Sequence, residues 1–447
     1  MIKNILKSDE KRYMEAGKKM NRYEKMTEEE LKADYQQTMA RFEALKSQNL
    51  RLNMSRGKPG SDQLDLSDGL LKILTEPKDC YFEGEDARNY GMLDGVPDCR
   101  KLFSELLGVS ESEILVGGNS SLSLMYDLIS KAYTHGLLKS ETPWGKLDKI
   151  KFLCPSPGYD RHFLVTESFG AELITIPMRD HGPDMDMIEE YVKDPLIKGV
   201  WCVPKYSNPE GIIFSDEVIA RFADLKPAAP DFVIIWDNAY CVHEFEGDFV
   251  PFKNILEECR RAGNPDMVFE FASTSKITYP GAGVAVMASS EDNIAYMKKL
   301  IGVQIICYDK VNQLRHARFL KDKKGVLELM KKHAVILKPK FDMVFSCLDR
   351  EIRELGIASW KKPKGGYFIS LDTEPGCAKR ALSLAKEAGV VMTEAGATFP
   401  YGKDPEDRNI RIAPTYPPVD ELEKAMDVLC ICLKLAAMEK AMNRKRH

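Results

Sequence analysis

The chain has 447 residues, of which 44% are hydrophobic and 30% are charged. This length is enough for two or three domains with large buried cores, and the composition excludes intrinsically disordered and fibrous proteins. Lys and Arg number 64 against 68 Asp and Glu, and the formal charge of −4 lacks the excess of basic residues that is typical of nucleic-acid binding.

Neither membrane insertion nor secretion is indicated by the sequence. No uncharged apolar stretch reaches the roughly 18 residues that a membrane-spanning helix needs, and residues 1–20 lack the apolar segment of a signal peptide. The 11 cysteines are scattered without a CxxC pair, and the 7 histidines form no cluster with metal-ligand spacing. We therefore expect a cytoplasmic protein that binds no nucleic acid, membrane or metal.

The first predicted elements are one or two amphipathic helices within residues 1–50, which are rich in Lys, Glu, Met and Gln. From residue 52 onward, short apolar runs alternate with helical patterns, as in stacked βαβ units. The five clearest runs are nearly continuous in apolar character, which predicts strands covered on both faces of a mostly parallel sheet. They span residues 113–118, 149–155, 199–205, 232–237 and 267–273.

The remainder of the chain has a different order of elements. A Lys-rich helical pattern over residues 320–354 is followed by three further apolar runs and then by a closing helix over residues 420–443. The three runs cover residues 365–371, 389–392 and 409–413. This order predicts a second, smaller α+β unit.

The whole pattern therefore predicts an α/β fold, with a mostly parallel central sheet in a large domain plus a smaller α+β domain. We expect residues 1–60 to form an N-terminal helical arm and part of the small domain. The large domain would then comprise residues 61–320, and the C-terminal small domain residues 321–447.

Polar side chains follow three of the predicted strands, at the edge of a parallel sheet where ligands gather. Lys276 closes the motif Ser273-x-x-Lys276 after the fifth run, and a lysine there is costly to bury unless it is paired, neutral or covalently used. Asp237 and Tyr240 follow the fourth run, and Asn208 begins an Asn-Pro turn after the third. Each feature alone is common in loops, caps and turns, but their combination indicates a binding site.

In this order and spacing, Asn208-Pro-x-Gly, Asp237-x-x-Tyr240 and Ser273-x-x-Lys276 resemble the pyridoxal-5′-phosphate (PLP) site of fold-type I aminotransferases. The resemblance extends over most of the chain and is closest to an atypical bacterial subgroup of aspartate aminotransferases. It implies the PLP-dependent transferase fold of type I. It also implies transfer of the amino group of aspartate, or of another acidic amino acid, to 2-oxoglutarate by a ping-pong mechanism.

For the cofactor ring, the resemblance implies distinct roles for the residues of the three motifs. Lys276 would hold the PLP aldehyde covalently, and Asp237 would face the pyridine nitrogen and keep it protonated. Tyr240 and Asn208 would reach the 3′-oxygen of the ring. Lys276, Asp237 and Tyr240 are therefore the predicted catalytic residues.

The segment Pro-Ser-Pro-Gly-Tyr-Asp-Arg-His over residues 155–162 resembles the strand end that stacks on the PLP ring in this family. Tyr159 would supply the aromatic face. His162, three residues later, would support the Asp237 carboxylate that faces the pyridine nitrogen.

The phosphate of PLP needs backbone N–H groups and hydroxyls at a helix N-terminus. Asn119, Ser120 and Ser121 precede an evident helix and resemble the phosphate-binding turn of the family, and Ser273 would add a further hydroxyl. Tyr90 matches the tyrosine that reaches the phosphate from a partner subunit, which implies a homodimer. The family's phosphate-binding arginine, expected eight residues after the lysine, has no counterpart in this chain.

For the substrate, Arg411 matches the arginine that binds the α-carboxylate, a role that suits a planar bidentate guanidinium. Asn208 would lie beside it, and Gly57 would approach the substrate from the start of the fold. In relatives the residue before that glycine is usually apolar, whereas here it is Arg56. We therefore expect Arg56 or Lys58 to meet the second carboxylate of a dicarboxylic substrate.

Two other functions remain open at this stage. A PLP-dependent lyase or decarboxylase would use overlapping residues. A non-catalytic PLP-binding regulatory protein usually carries an N-terminal DNA-binding segment, for which the first 50 residues are too short. The expected partners of the leading hypothesis are small-molecule amino acids and 2-oxo acids.

Overall fold

A computed structural model describes residues 21–446, so the part of the predicted N-terminal arm in residues 1–20 lies outside the described residues. The described α-helices are α1 (Arg22–Lys25), α2 (Glu28–Lys46), α3 (Ser61–Leu64), α4 (Pro97–Leu107), α5 (Ser121–Thr134), α6 (Asp160–Ser168), α7 (Met185–Tyr191), α8 (Asp216–Ala223), α9 (Ile255–Arg261), α10 (Glu291–Gln304), α11 (Lys310–Leu320), α12 (Lys323–Glu351), α13 (Ala378–Glu387) and α14 (Val419–Arg446). Short 3₁₀ helices cover Asp65–Lys72, Pro77–Cys80, Glu111–Glu113, Trp144–Lys146, Pro265–Met267, Pro280–Ala282, Arg353–Leu355 and Pro400–Gly402.

The strands form one large sheet and three small ones. They are β1 (Leu52–Met54), β2 (Tyr81–Phe82), β3 (Glu85–Asp86), β4 (Ile114–Val116), β5 (Lys151–Ser156), β6 (Glu172–Arg179), β7 (Gly182–Pro183), β8 (Ile197–Cys202), β9 (Val233–Asp237), β10 (Val268–Ser273), β11 (Ala285–Ala288), β12 (Ala358–Trp360), β13 (Ile369–Thr373), β14 (Val390–Met392) and β15 (Asn409–Ile412). The large sheet has eight strands in the order β4-β11-β10-β9-β8-β5-β6-β7.

The centre of this sheet is parallel, as predicted. The pairs β10–β9, β9–β8, β8–β5 and β5–β6 all run parallel, whereas β11 runs antiparallel to both β10 and β4. Every residue of β8 and β9 is buried. Val200 and Ile234 pack into the hydrophobic cluster on one face, and Trp201 and Ile235 pack into the cluster on the other. Burial on both faces explains the continuous apolar runs of the sequence.

The five predicted runs correspond to β4, β5, β8, β9 and β10. The sequence prediction missed β6 and β11. In β6, buried and partly exposed positions are interspersed, so it lacks a continuous apolar run. Strand β11 has only four residues and closely follows a Pro-Gly-Ala-Gly loop, so the sequence does not distinguish it from a continuation of that loop.

The C-terminal part of the chain adds a three-stranded antiparallel sheet, β12-β13-β15, and the two long helices α12 and α14. Strand β1 pairs in parallel with β14, so residues 52–54 are built into this part of the structure. Tyr23 and Leu31 of the N-terminal helices pack in the same hydrophobic cluster as Leu337 of α12 and Leu429 of α14. The domain limits at residues 60 and 320 stay predictions.

The parallel strands position the candidate site, because their carboxyl ends meet at one edge of the sheet. Three predicted site segments begin there: residue 157 onward after β5, residue 203 onward after β8, and Asp237 at the end of β9. Ser273 ends β10 and leads directly to Lys276. Within residues 21–446, no helix combines the length and the apolar character needed to cross a membrane.

Candidate active site

Lys276 lies in a tight turn after β10, in which the amides of Ile277 and Thr278 both donate to the carbonyl of Thr274 (2.9 and 2.8 Å). Its Nζ lies 4.8 Å from the centroid of the Tyr240 ring. Burial lowers the pKa of the amine below its usual range, while the nearby Asp237 carboxylate opposes that effect. A lysine in this environment loses its proton more readily than an exposed one and is suited to act as a nucleophile and a base.

Asp237 is the last residue of β9 and is only 3% exposed. Its Oδ2 accepts a hydrogen bond from Nε2 of His162 (2.9 Å), whose ring stacks on Trp201 with the centroids 4.4 Å apart. The other oxygen, Oδ1, is buried without a hydrogen-bond partner. A buried carboxylate oxygen without a donor is costly, so the arrangement fits a ligand that brings an N–H group, such as a protonated pyridine ring. His162 thus contacts Asp237, the pairing that the resemblance implies, and its role stays a prediction.

Two tyrosines surround this carboxylate and amine. Tyr240 is buried, and burial together with nearby groups raises the pKa of its phenol well above the usual range, so the hydroxyl stays protonated and can donate. Tyr159 follows β5, and its ring contacts His162 edge to face at 4.9 Å. Burial raises the pKa of Tyr159 to about 12. Tyr159, Tyr240, His162, Asp237 and Lys276 are thus gathered in one place.

Four of the predicted phosphate-binding residues, Asn119, Ser120, Ser121 and Ser273, lie together. Helix α5 begins at Ser121, and its N-cap residue Ser120 makes no side-chain capping bond, which leaves amide donors available at this helix end. The Ser273 hydroxyl donates to that of Ser275 (3.1 Å), which donates in turn to the carbonyl of Asn119 (3.4 Å). Ser275 was missed in the sequence, although it lies within the Ser273-x-x-Lys276 motif.

In residues 276–284, where the expected arginine is lacking, side chains and main chain form hydrogen bonds with other parts of the protein. Thr278, two residues after the lysine, is buried and its hydroxyl donates to Nε2 of His316 (2.9 Å). The Thr274 hydroxyl accepts from the amide of Val284 (2.9 Å), at the position where the arginine was expected. No cation replaces the arginine within this described segment.

The substrate end is built around Arg411, which lies in β15 and is 7% exposed. Its Nη1 donates to Oδ1 of Asp160 (2.9 Å) and to Oδ1 of Asn208 (3.3 Å). The guanidinium lies 5.0 Å from the centroid of the Phe368 ring. A β-carbon on Gly57 would lie 2.4 Å from an atom of this ring, so only glycine allows the close approach. Arg411, Asn208 and Gly57 are therefore brought together.

Asp160 was missed by sequence reasoning because an aspartate after Tyr159 is also an ordinary first residue of a helix. Its contact with Arg411 joins residues that are 251 positions apart. No local spacing in the sequence signals this pair.

Within the single chain, the side chains of Tyr90 and Arg56 form no hydrogen bond or ion pair with these residues in the described part of the structure. Tyr90 is 76% exposed, and its main-chain carbonyl accepts a hydrogen bond from Lys310. Arg56 is exposed and forms no ion pair with the described residues. Lys58, its predicted alternative, lies with Nζ 3.9 Å from the centroid of the Tyr416 ring.

Among the described residues, no group of three or more His, Cys, Asp and Glu side chains could hold a metal ion. The functional groups of the candidate site are an activated amine, a buried carboxylate held by a histidine, a protonated phenol and an arginine that can bind a carboxylate. These groups suit the binding of a basic heteroaromatic aldehyde together with an amino acid.

Comparison with known proteins leads to the same class of enzyme. The sequence profile of a family described as aspartate amino-transferase matches residues 26–445. An aspartate aminotransferase of Corynebacterium glutamicum is 47% identical over 403 residues, which are 90% of this chain and 93% of the relative. A crystal structure of an aspartate transaminase from the same species superposes with a TM-score of 0.91 at 46% identity, covering 94% of this chain and 99% of that one.

The fold extends to more distant enzymes. An α-aminoadipate aminotransferase of Thermus thermophilus, crystallised with N-(5′-phosphopyridoxyl)-L-leucine, superposes with a TM-score of 0.70 at 22% identity and covers 87% of this chain and 93% of its own. The predicted type I fold and the predicted enzyme class are both confirmed. Because the family profile spans nearly all described residues, the chain belongs to the aspartate aminotransferase family and is an aminotransferase.

Proposed function

We propose that this aminotransferase uses PLP to move the amino group of aspartate to 2-oxoglutarate. The observation that carries the proposal is the unpartnered, buried Oδ1 of Asp237 beside the amine of Lys276. The name of the relative from C. glutamicum supports aspartate as the substrate. The phosphopyridoxyl ligand of the T. thermophilus enzyme supports PLP as the cofactor.

The residues present fit the ring of this cofactor. Oδ1 of Asp237 is the acceptor for a ring N–H, and His162 holds the second oxygen so that the carboxylate keeps its orientation. The protonated phenol of Tyr240 can donate to an oxygen of the ring. When bound, PLP supplies an aldehyde that takes up the amino group and a pyridinium ring that withdraws electrons from the substrate Cα.

Lys276 is the group that moves the proton. With PLP bound, its ε-amine would act as the base that takes the proton from the substrate Cα and as the acid that returns a proton on the cofactor side. Burial favours the neutral amine that this step requires. The second half of the reaction uses the same residues in reverse, so the kinetics should be ping-pong.

The substrate carboxylates are assigned to two arginines. Arg411 donates to the α-carboxylate, and Asn208 and Phe368 hold its guanidinium in place. Asp160 occupies one Nη1 hydrogen bond and lowers the net positive charge that an incoming carboxylate meets. Arg56, exposed beside Gly57 and without an ion pair among residues 21–446, is the proposed contact for the second carboxylate of aspartate.

We assign the working enzyme to a homodimer in which Tyr90 completes the phosphate site of the partner. The high exposure of its ring in the single chain supports this assignment. A cytoplasmic location is likewise part of the proposal and is supported by the 11 cysteines, all of which are free thiols.

A visible absorbance spectrum tests the proposed function. Protein saturated with PLP should develop a band that aspartate bleaches and 2-oxoglutarate restores. Lys276→Ala should lose the band and nearly all turnover, whereas Lys101→Ala, an exposed lysine of α4, should keep both. Full activity in Lys276→Ala would refute the assignment. Release of ammonia or carbon dioxide from the amino acid in the absence of an added oxo acid would favour a lyase or decarboxylase.

A further inference from the structure

Three buried polar side chains form a hydrogen-bonded network beneath Lys276. We call Gln63, His333 and Tyr367 the lysine-anchor network. His333 Nε2 lies 3.0 Å from the main-chain oxygen of Ile277, and the Tyr367 hydroxyl lies 3.5 Å from that of Lys276. Gln63 Nε2 joins the two, at 3.2 Å from His333 Nδ1 and 3.0 Å from the Tyr367 hydroxyl.

Every proton of the lysine-anchor network can be assigned from these contacts. A carbonyl only accepts, so His333 Nε2 carries the hydrogen and Nδ1 is an acceptor. Gln63 must then donate one amide hydrogen to Nδ1 and the other to Tyr367, which leaves the phenol hydrogen for the carbonyl of Lys276. The amide of Gly60 donates to Oε1 of Gln63 (3.3 Å), which fixes the orientation of the Gln63 amide.

The ionisation of the network agrees with this assignment. Burial lowers the pKa of His333, so its ring stays neutral with one donor and one acceptor. Burial also raises the pKa of Tyr367 above its usual range, so its hydroxyl keeps the proton that it donates. Both side chains are about 1% exposed, and Gln63 is fully buried. The network is therefore shielded from water.

Its members come from three separate parts of the chain. Gln63 lies in α3, His333 in α12, and Tyr367 just before β13. His333 and Tyr367 contact two consecutive carbonyls, those of Ile277 and Lys276, and Gln63 joins the two side chains. These carbonyls belong to the main chain that carries the reacting amine.

Resting on the proposed function, we propose that Gln63, His333 and Tyr367 are positioning residues that hold the main chain of Lys276, so that its amine stays in its buried position. The lysine side chain is long and flexible, so its amine keeps one location only if the main chain beneath it is held. The Tyr367 ring also forms a wall of the site, with its centroid 5.8 Å from the Lys276 Nζ.

The position of the amine matters because burial keeps its pKa low. The titratable groups that face it are Asp237 at the end of β9, Tyr240 and His243 in the following loop, and Tyr367 before β13. A main chain that is no longer held would let the amine reach water or the carboxylate. Both changes favour the ammonium form and raise the pKa of Lys276.

The test compares three full-length variants prepared without cofactor. His333→Leu removes the donor and the acceptor together, whereas His333→Gln retains an amide that can serve both. Asn293→Leu is the control, because Asn293 is equally buried and hydrogen-bonds to Asp266 and Ser289 in a network elsewhere in the fold. The readout is the pH dependence of Lys276 acetylation, followed by peptide mass spectrometry.

We expect His333→Leu to raise the labelling pKa of Lys276 by about one pH unit and to lower kcat about tenfold in the reconstituted enzyme. His333→Gln should stay close to wild type in both readouts. Asn293→Leu should lower stability without moving the labelling pKa. An unchanged labelling pKa in folded His333→Leu would overturn the inference.

A fourth variant, Tyr367→Phe, covers the case in which His333→Leu does not fold. Tyr367→Phe keeps the ring and removes only the hydroxyl, so it should shift the labelling pKa in the same direction, and no shift would again overturn the inference. If the wild type neither binds PLP nor transfers amino groups, the proposed function fails separately. The labelling experiment needs neither property.

Discussion

Glu270 provides a quantitative test of how this sheet tolerates a buried acid next to the site. It lies in the middle of β10, is 3% exposed, and accepts one hydrogen bond from Nδ2 of Asn238 (2.8 Å), the residue that follows Asp237. Burial raises the pKa of Glu270 from 4.5 to about 7. The carboxyl is therefore protonated in mildly acidic solution and becomes charged within the core near neutral pH.

The sign of the effect follows from comparing the folded and unfolded states. Below about pH 4.5 both states hold the proton, and the pKa difference has no effect on stability. Between pH 4.5 and about 7 the unfolded state loses its proton first, so the free energy of unfolding falls as the pH rises. Each unit of pKa difference corresponds to about 1.4 kcal/mol, so above that pH range the free energy of unfolding is lower by about 3 kcal/mol.

Glu270→Gln keeps the shape and the acceptor oxygen but cannot ionise. Urea unfolding of the variant and the wild type at pH 5 and pH 8 should show the variant gaining about 2 to 3 kcal/mol relative to the wild type between the two conditions. Glu85→Gln, at an exposed position of β3, is the control and should show no such gain. A gain for Glu270→Gln that is equal at both pH values would refute the reasoning.

Three further substitutions test the assigned roles in the site. Asp237→Asn should retain PLP in an absorbance titration but lower kcat at least about a hundredfold, because a neutral amide no longer stabilises the protonated ring; an unchanged kcat would contradict the role. Arg411→Lys should raise KM for aspartate about 10- to 100-fold in steady-state assays, because an ammonium cannot bind a carboxylate in bidentate fashion; an equal KM would place the α-carboxylate elsewhere. Arg56→Ala should reduce the ratio of kcat/KM for aspartate to that for alanine by about tenfold, and a constant ratio would remove Arg56 from the substrate site.

Residues that follow strands could be predicted from the sequence because their location depends on local order. Asp237 ends β9 and Lys276 follows β10, and parallel strands bring their carboxyl ends to one edge. The pairing of His162 with Asp237 was predicted through the resemblance, and the 2.9 Å contact lies where that prediction placed it. The roles of these residues stay predictions until the substitutions are measured.

The sequence by itself determined the alternation of strands and helices, the parallel centre of the sheet and the motifs at its edge, because hydrophobic periodicity and turn residues act over short distances along the chain. Only the tertiary structure decided that Asp160 contacts Arg411, that Oδ1 of Asp237 lacks a partner, and that Gln63 and His333 meet beneath Lys276. These contacts join segments up to 270 positions apart. Their geometry depends on how whole elements pack against each other. Hydrogen bonds of about 3 Å between such distant segments cannot be predicted from the spacing of residues along the sequence.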